Sequence, residues 1–435
     1  MTLKLGKFGF SLFSQTFIKI LATALGLYTT RWLISHTTGS DYNAYLVVID
    51  FSQIILTLIE LGIPKLVQKF YTNDHEPSDI PAFWTAFSYL RVLSYFVGIV
   101  LIALTFRFSS VDSLGLILGI FSLQFILLTD VAFRSICDAK GHTWQFSLTD
   151  LGNRLLLVGG LLAFDIFRLD YNGLQYFLWV TCFSYLAGFI ADAIWQRQYY
   201  SFGRLDLSVL RKYLKPIFYL GLSGFTVAMY MQTRKIILNN YGFEEVLVNG
   251  FGNAEKIFTL VTIIPGLTMP MVASLVKKRL SSGTLSKLGQ WFYQSWSWTK
   301  SKSIISEWFI YTLGLSLLLT LGMLVFGPLI LWLVDSQNKY ASALQILPIL
   351  SLGMLPFTPV IFLANLIVFL NGEKYELYGT SILAVFGLSL YFLLIPSYGI
   401  FGAAWATVAI FFLDLILKVF FIAKILNQNS GIYRV

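Results

Sequence analysis

The feature that most constrains this chain is the recurrence, from one end to the other, of long apolar runs separated by short polar breaks. About twenty apolar residues is the length an α-helix needs to cross the hydrocarbon of a bilayer. Inside hydrocarbon every backbone N–H and C=O must find its partner within the protein, which an α-helix achieves within a single segment. Only 12% of the 435 residues are charged and 57% are hydrophobic, whereas an average soluble domain has roughly 25% charged residues. So few charges cannot clothe a water-soluble surface of this size. The expected fold class is all-α, a polytopic membrane protein whose main solvent is lipid.

Reading the breaks gives about twelve spans. They run Phe8 to Ile34, Tyr42 to Leu66, Pro81 to Phe106, Leu114 to Phe133, Trp144 to Ile166 and Leu174 to Ile194. The second group runs Leu214 to Leu238, Val246 to Leu275, Ile305 to Val334, Ala341 to Leu370, Leu377 to Ile395 and Ile400 to Ile425. Lys and Arg then separate by side. One side collects Lys4, Lys7, Lys65, Lys69, Arg134 and Lys140, the basic breaks around Arg197 to Lys215 and Lys277 to Lys302, and Lys374, Lys418, Lys424 and Arg434. The other side has Arg31, Arg107, Arg168, Arg234, Lys235 and Lys339. The positive-inside bias therefore predicts both termini in the cytoplasm and an even number of spans, in a multi-pass membrane protein.

The break at Gln196 to Tyr213 divides the spans into two lobes of six: residues 1–200, a cytoplasmic linker and amphipathic segment at 201–213, and residues 214–435. The stretches LDLSVLRKYL and TLSKLGQWFYQSW read as amphipathic helices lying along the membrane surface. Pro265, Pro270, Pro328, Pro348, Pro356 and Pro359 mark expected kinks. The stretch from Met1 to Ile34 reads as the first span, since it is too long for a signal-peptide core. Because the +9 formal charge is gathered in the breaks, no nucleic-acid partner is expected. Cys137 and Cys182 lie inside apolar segments without partner spacing and read as inert thiols.

Ionisable groups inside spans are costly unless they face protein, a partner or water. Those in question are Lys19, Asp50, Glu60, Arg91, Asp130, Asp150, Arg154, Glu255, Lys256 and Asp414. Glu60, Asp130 and Asp414 sit close enough to a span end for snorkelling or local pairing. Asp150 and Arg154 are four apart and can satisfy each other. Lys19 lies roughly 16 Å along its helix, deeper than a lysine stem comfortably reaches, and Arg91 is at similar depth. With Lys256, and with Arg154 and Lys235 joining them, these basic groups predict a cationic cavity suited to an anion such as phosphate or pyrophosphate.

No nucleotide-binding GxxxxGK[ST] loop and no GxSxG elbow is present, and His36, His75 and His142 are scattered. Catalytic residues, a bound metal and a cofactor are therefore not expected, which leaves transport without covalent chemistry.

Four stretches carry a family resemblance. They are GSDYNAYLVVIDFSQIILTLIELGIPKLVQKF, NGFGNAEKIFTLVTIIPGLTMPMVASL, ASALQILPILSLGMLPFTPVIFLANLIVFLNGEKYELYG and IPSYGIFGAAWATV. In order and spacing they resemble the Wzx-type O-antigen and polysaccharide repeat-unit flippases of the multidrug, oligosaccharidyl-lipid and polysaccharide exporter superfamily, over essentially the whole chain. The resemblance implies two helical lobes in a V. It also implies movement of undecaprenyl-pyrophosphate-linked oligosaccharide from the cytoplasmic to the periplasmic leaflet for surface polysaccharide biosynthesis, with a polymerase and a chain-length regulator as partners. Lys19, Arg91, Arg154, Lys235 and Lys256 would contact the headgroup, and Asp50, Asp150 and Glu255 would orient them or carry a coupling ion. The seventh span departs from the family in having Gln232, Thr233 and Arg234 where an acidic residue is common, so the family's ion coupling does not carry over. The alternatives are a MATE-like drug or cation antiporter, which needs a cavity rich in carboxylates, and a membrane-embedded glycan polymerase.

Overall fold

The computed structural model describes residues 18, 21–60, 62–72, 79–105, 113–140, 143–168, 171–204, 207–282, 290–291, 293–294, 300–335 and 339–428. Among these residues the regular structure is helical and no strand occurs. The helices are α1 (21–36), α2 (Gly39–Glu60), α3 (Ile63–Thr72), α4 (Asp79–Thr105), α5 (Leu114–Lys140), α6 (Thr143–Phe167) and α7 (Gly173–Gln196). They continue as α8 (Leu207–Asn240), α9 (Glu245–Ser282), α10 (Lys300–Val334), α11 (Ser342–Phe369) and α12 (Glu373–Gln428). Each expected span has a helix at its place. Seven of the described helices are long and apolar enough to cross a membrane by length and composition.

The last two expected spans are the two limbs of α12. These limbs are two helices joined at Gly399, whose φ of 55° and ψ of −131° are not helical, and the chain doubles back there. Tyr375, near the start of the first limb, donates its hydroxyl to Gln428 at the end of the second, 2.7 Å away. A methyl group on Gly387 would lie 2.9 Å from Ile410 Cδ1, so the limbs pack face to face. Gly399 also lies under the Phe243 ring, with 3.0 Å between its would-be Cβ and Cε1. Only glycine takes that backbone conformation without strain.

The second expected span is divided. α2 ends at Glu60, and Gly62 turns the chain with a φ of +65° before α3 begins. The reason is tertiary. A Cβ on Gly62 would sit 2.8 Å from Leu220 Cβ and 2.9 Å from the Gly221 nitrogen of α8, so the backbones meet directly at this point. α3 then buries Ile63, Val67, Phe70 and Tyr71, one face at helical spacing, against Phe83, Trp84 and Phe87 of α4 and Ala132, Phe133 and Ile136 of α5. Phe70 stacks on Phe83 with centroids 4.1 Å apart, and the Trp84 indole donates to the Tyr71 oxygen at 2.7 Å.

One further expectation is corrected. LDLSVLRKYL does not form a separate surface helix: from Leu207 onward it is the beginning of the continuous 34-residue α8, because nothing between Leu207 and Leu214 breaks a helix. TLSKLGQWFYQSW lies largely outside the described residues. α10 continues as a helix through Pro328, and α11 through Pro348, Pro356 and Pro359.

By internal contacts the chain forms two units, Met1–Ala228 with Leu333–Asp335, and Met229–Trp332 with Ser336–Val435. In the first, α1 is anchored to α6 through Asp165, which accepts from the Trp32 indole at 3.2 Å and meets His36 Nε2 at 3.0 Å. The core of the second joins α9 to α12 around Met269, Val276, Ile304, Phe362, Leu366 and Phe421. Lipid tails are as apolar as leucine, so such helices adhere through close packing and polar contacts more than through exclusion of water.

Replacing Gly62 or Gly399 by alanine should destabilise the protein by roughly 1–3 kcal/mol. Gly159→Ala, where a Cβ meets nothing within 4 Å, should be neutral or slightly stabilising. Thermal unfolding of the detergent-solubilised variants measures the difference.

Candidate functional site

The charged residues of the second unit assemble around α8, α9 and the α12 hairpin. α8 carries Arg234 and Lys235 in succession, and α9 carries Glu255. The Arg234 guanidinium donates through Nη2 to Glu255 Oε1, and Lys235 Nζ lies 3.0 Å from Glu255 Oε2. One carboxylate is thus shared by two cations. Arg234 also donates through Nη1 to Thr407 Oγ1 at 3.1 Å. Thr407 is 3.2 Å from the Tyr391 hydroxyl, so the cluster is tied to both limbs of α12. The Phe251 ring lies 5.8 Å from the guanidinium carbon. Arg234, Lys235 and Glu255 are all buried. Their pairing removes most of the cost of charge in an apolar span and leaves one formal positive charge over.

A second cluster has the opposite balance. Lys418, only 1% exposed, is paired with Glu376 of the first α12 limb and lies 3.8 Å from Asp414, one turn earlier on its own limb. Two carboxylates meet one ammonium, and the pairing crosses the hairpin.

In the first unit, Asp192 of α7 accepts a hydrogen bond from Thr149 Oγ1 of α6 at 2.7 Å. The carboxyl of Asp130, on α5, is within hydrogen-bonding reach of Asp192. Close by in sequence, Arg154 and Asp150 approach to 4.0 Å on one face of α6 with about a third and a quarter of their side chains exposed. Arg154 Nη1 faces α1, 3.5 Å from where a Cβ on Gly26 would be.

The expected site residues are distributed as follows. Lys235 and Glu255 come together in the second unit, and Lys256 is half-buried on α9 beside them in sequence. Arg154 and Asp150 pair in the first unit, where Asp50 is buried on α2. Arg91 is buried between α4 and α5, donating to the Leu128 carbonyl at 3.4 Å, with Phe87 and Phe125 centroids 5.4 and 5.9 Å from its guanidinium carbon. Its surroundings are aromatic packing, with Nε and Nη1 lacking hydrogen-bond partners. Lys19 lies outside the described residues.

Among the described residues the buried charged side chains are eight acidic ones, Asp50, Asp130, Asp192, Glu255, Glu307, Asp335, Glu376 and Asp414, against four basic ones, Arg91, Arg234, Lys235 and Lys418. Most lysines and arginines stay at helix ends because of their long, strongly hydrated heads, whereas a carboxylate can be carried inward beside a hydroxyl or a cation. Sequence reading missed four charged members of these clusters, the first being Arg234, which is visible beside Lys235. Asp192 is visible as an acid within an apolar run. Lys418 is visible through its four-residue spacing from Asp414. Glu376 is 42 positions before Lys418, and nothing local connects them. Cys137 and Cys182 are not joined in a disulfide, and Cys137 Sγ accepts a hydrogen bond from Gln196 Nε2 at 2.8 Å.

The sequence matches no family model and no curated protein. Solved structures do match. An inward-facing multidrug-resistance MATE transporter of the MOP superfamily aligns with 14% identity and a TM-score of 0.69, covering 96% of this chain and 99% of that one. An outward-facing MATE transporter of the same superfamily aligns with 14% identity and a TM-score of 0.69, over 97% of this chain and 96% of the other. A MOP superfamily transporter from Pyrococcus furiosus, described as having a binding pocket of reverse polarity that suggests a different function, aligns with 15% identity and a TM-score of 0.67 over 98% of this chain and 96% of its own. The chain shares their fold, a polytopic all-α membrane architecture, along nearly its full length.

Glu255→Gln leaves two buried cations without their carboxylate and should cost about 3–5 kcal/mol, whereas Asp150→Asn, at a long and partly exposed pair, should cost about 0–1 kcal/mol. Chemical unfolding in mixed detergent and lipid micelles distinguishes the two.

Proposed function

We propose that this chain is a membrane transporter that carries its cargo across the bilayer without covalent chemistry. The observation that supports it is the placing of Arg234, Lys235 and Glu255 as one buried, interlocked cluster within apolar helices. A purely structural bundle gains little from carrying such charges, and ionisable groups inside a membrane helix commonly mark a substrate or ion path. The shared fold with MATE transporters adds weight, although a fold alone does not choose a cargo.

For the cargo, the resemblance to the Wzx-type flippases favours an undecaprenyl-pyrophosphate-linked oligosaccharide moved toward the periplasmic leaflet of the inner membrane. The pyrophosphate cannot cross hydrocarbon bare. Arg234 and Lys235, which outnumber their carboxylate, together with Lys256, Arg154, Arg91 and Lys19, are the groups that would replace its water. Arg supplies bidentate contact and Lys a point charge. Asp50, Asp150 and Glu255 would orient these cations or hold a coupling ion. A polysaccharide polymerase and a chain-length regulator would act on the product.

A second reading, a MATE-like cation or drug antiporter, rests on a specific observation: the eight-to-four majority of acids among the described buried charges. The Asp130 and Asp192 pair and the Glu376, Asp414 and Lys418 cluster are each places where buried carboxyls come together and their negative charge favours a cation. The solved structures, which include multidrug MATE transporters, weigh more toward this reading than toward the flippase. The reverse-polarity description of the Pyrococcus furiosus protein shows why fold similarity does not decide between them.

Deleting the gene and following lipid-linked oligosaccharides separates the two. For a flippase, surface glycan is lost, lipid-linked units accumulate on the cytoplasmic face, and complementation with Arg234→Gln/Lys235→Gln fails although the variant reaches the membrane. Intact surface glycan together with a several-fold drop in tolerance to cationic drugs would establish the antiporter instead.

A further inference from the structure

Where the first limb of α12 begins and the second ends, one buried aromatic ring holds two ammonium groups. Lys374 Nζ is 4.9 Å from the Tyr375 ring centroid, and Lys424 Nζ is 5.5 Å from the same centroid. The ring is 5% exposed, while both lysines are exposed. Each cation gains from the ring's electron-rich face, and the two together make a local positive charge that an anion can balance. Glu373 in the same turn leaves the group with one net positive charge.

The neighbouring amide is set for the same purpose. The Tyr375 hydroxyl donates to Gln428 Oε1 at 2.7 Å, which turns the amide NH2 of Gln428 away from that contact as a donor. Beside it lies an open surface hollow of about 390 Å³ bordered by Phe420, Ala423, Lys424, Asn427 and Gln428 of the second limb. Donors line one part of it and apolar atoms the other.

Along the second limb, Ile416, Phe420, Ala423, Lys424 and Asn427 fall within about 100° of one another around the helix axis and so share one face. Ile416 and Phe420 are exposed, at 64 and 59%. This row passes from hydrocarbon-compatible side chains to a cation and an amide within the last turns of the helix. That is the polarity profile of one phospholipid, read from tail to head.

We propose that this surface is a binding site for an anionic phospholipid, with the phosphate held by Lys374, Lys424 and the Gln428 amide and an acyl chain lying along Ile416 and Phe420. The apolar row separates a lipid from a free phosphate ion, which would use the donors alone. The site lies within the second unit and does not depend on which cargo the transporter carries.

Native mass spectrometry of the purified full chain, titrated with phosphatidylglycerol or phosphatidylcholine, tests it. The wild type should retain one phosphatidylglycerol in preference to phosphatidylcholine. Lys374→Gln/Lys424→Gln should weaken that retention by roughly fivefold for each lysine and leave phosphatidylcholine unchanged, and Lys339→Gln should have no effect. If the double variant is poorly folded by thermal unfolding, Gln428→Glu, which places a carboxylate at the headgroup, should show the same selective loss. Equal retention of the two lipids by the wild type, unchanged binding in a folded variant, or displacement of the lipid by millimolar inorganic phosphate would overturn the proposal.

Discussion

An ionised group in hydrocarbon must bring its own partners, and much of this structure follows from that requirement. Glu255 can be charged inside α9 because α8 supplies Arg234 and Lys235 at the same level. Arg234 in turn reaches Thr407 and so fixes α12 against α8. Lys418 sits at the centre of the other hairpin contact, between Glu376 and Asp414. In a bilayer, where apolar side chains gain no hydrophobic advantage from leaving lipid for protein, these polar contacts specify which helices meet and in what register.

Close backbone approach is the second constraint. Gly62 turns the chain where α8 leaves no room for a side chain, and Gly399 reverses it beneath Phe243. Gly62 divides a run read from the sequence as one span, and Gly399 lies in the break between the last two expected spans. Both turns have a functional corollary. The first separates amphipathic α3 from α2 and lets it close the aromatic core with Trp84 and Phe133. The second brings Glu376 and Lys418 together although they are far apart in sequence.

The clusters divide by charge in a way that bears on mechanism. The Arg234, Lys235 and Glu255 group has a cation to spare, whereas the Lys418 group and the Asp130 and Asp192 pair have carboxyls to spare. A transporter that moves an anionic headgroup and one that exchanges a cation would draw on different members of this set. The same fold accommodates either, since the cargo depends on which side chains are mounted on the helices and not on their arrangement.

Much of the architecture was legible in the sequence, because length and hydropathy alone decide whether a segment can cross a bilayer. Twelve spans, their order and the all-helical class follow from that, as does the candidacy of Lys235 and Glu255, whose charge stands out in an apolar run. What the sequence could not contain is partnership. Nothing local links Glu255 to Arg234, Glu376 to Lys418, or Gly62 to Leu220, since each contact is made between separate helices. The sequence thus determined the solvent and the elements, and the tertiary structure decided which buried charges neutralise one another and which are left with capacity for a ligand, because in a low-dielectric interior a charge's behaviour is set by its nearest neighbours.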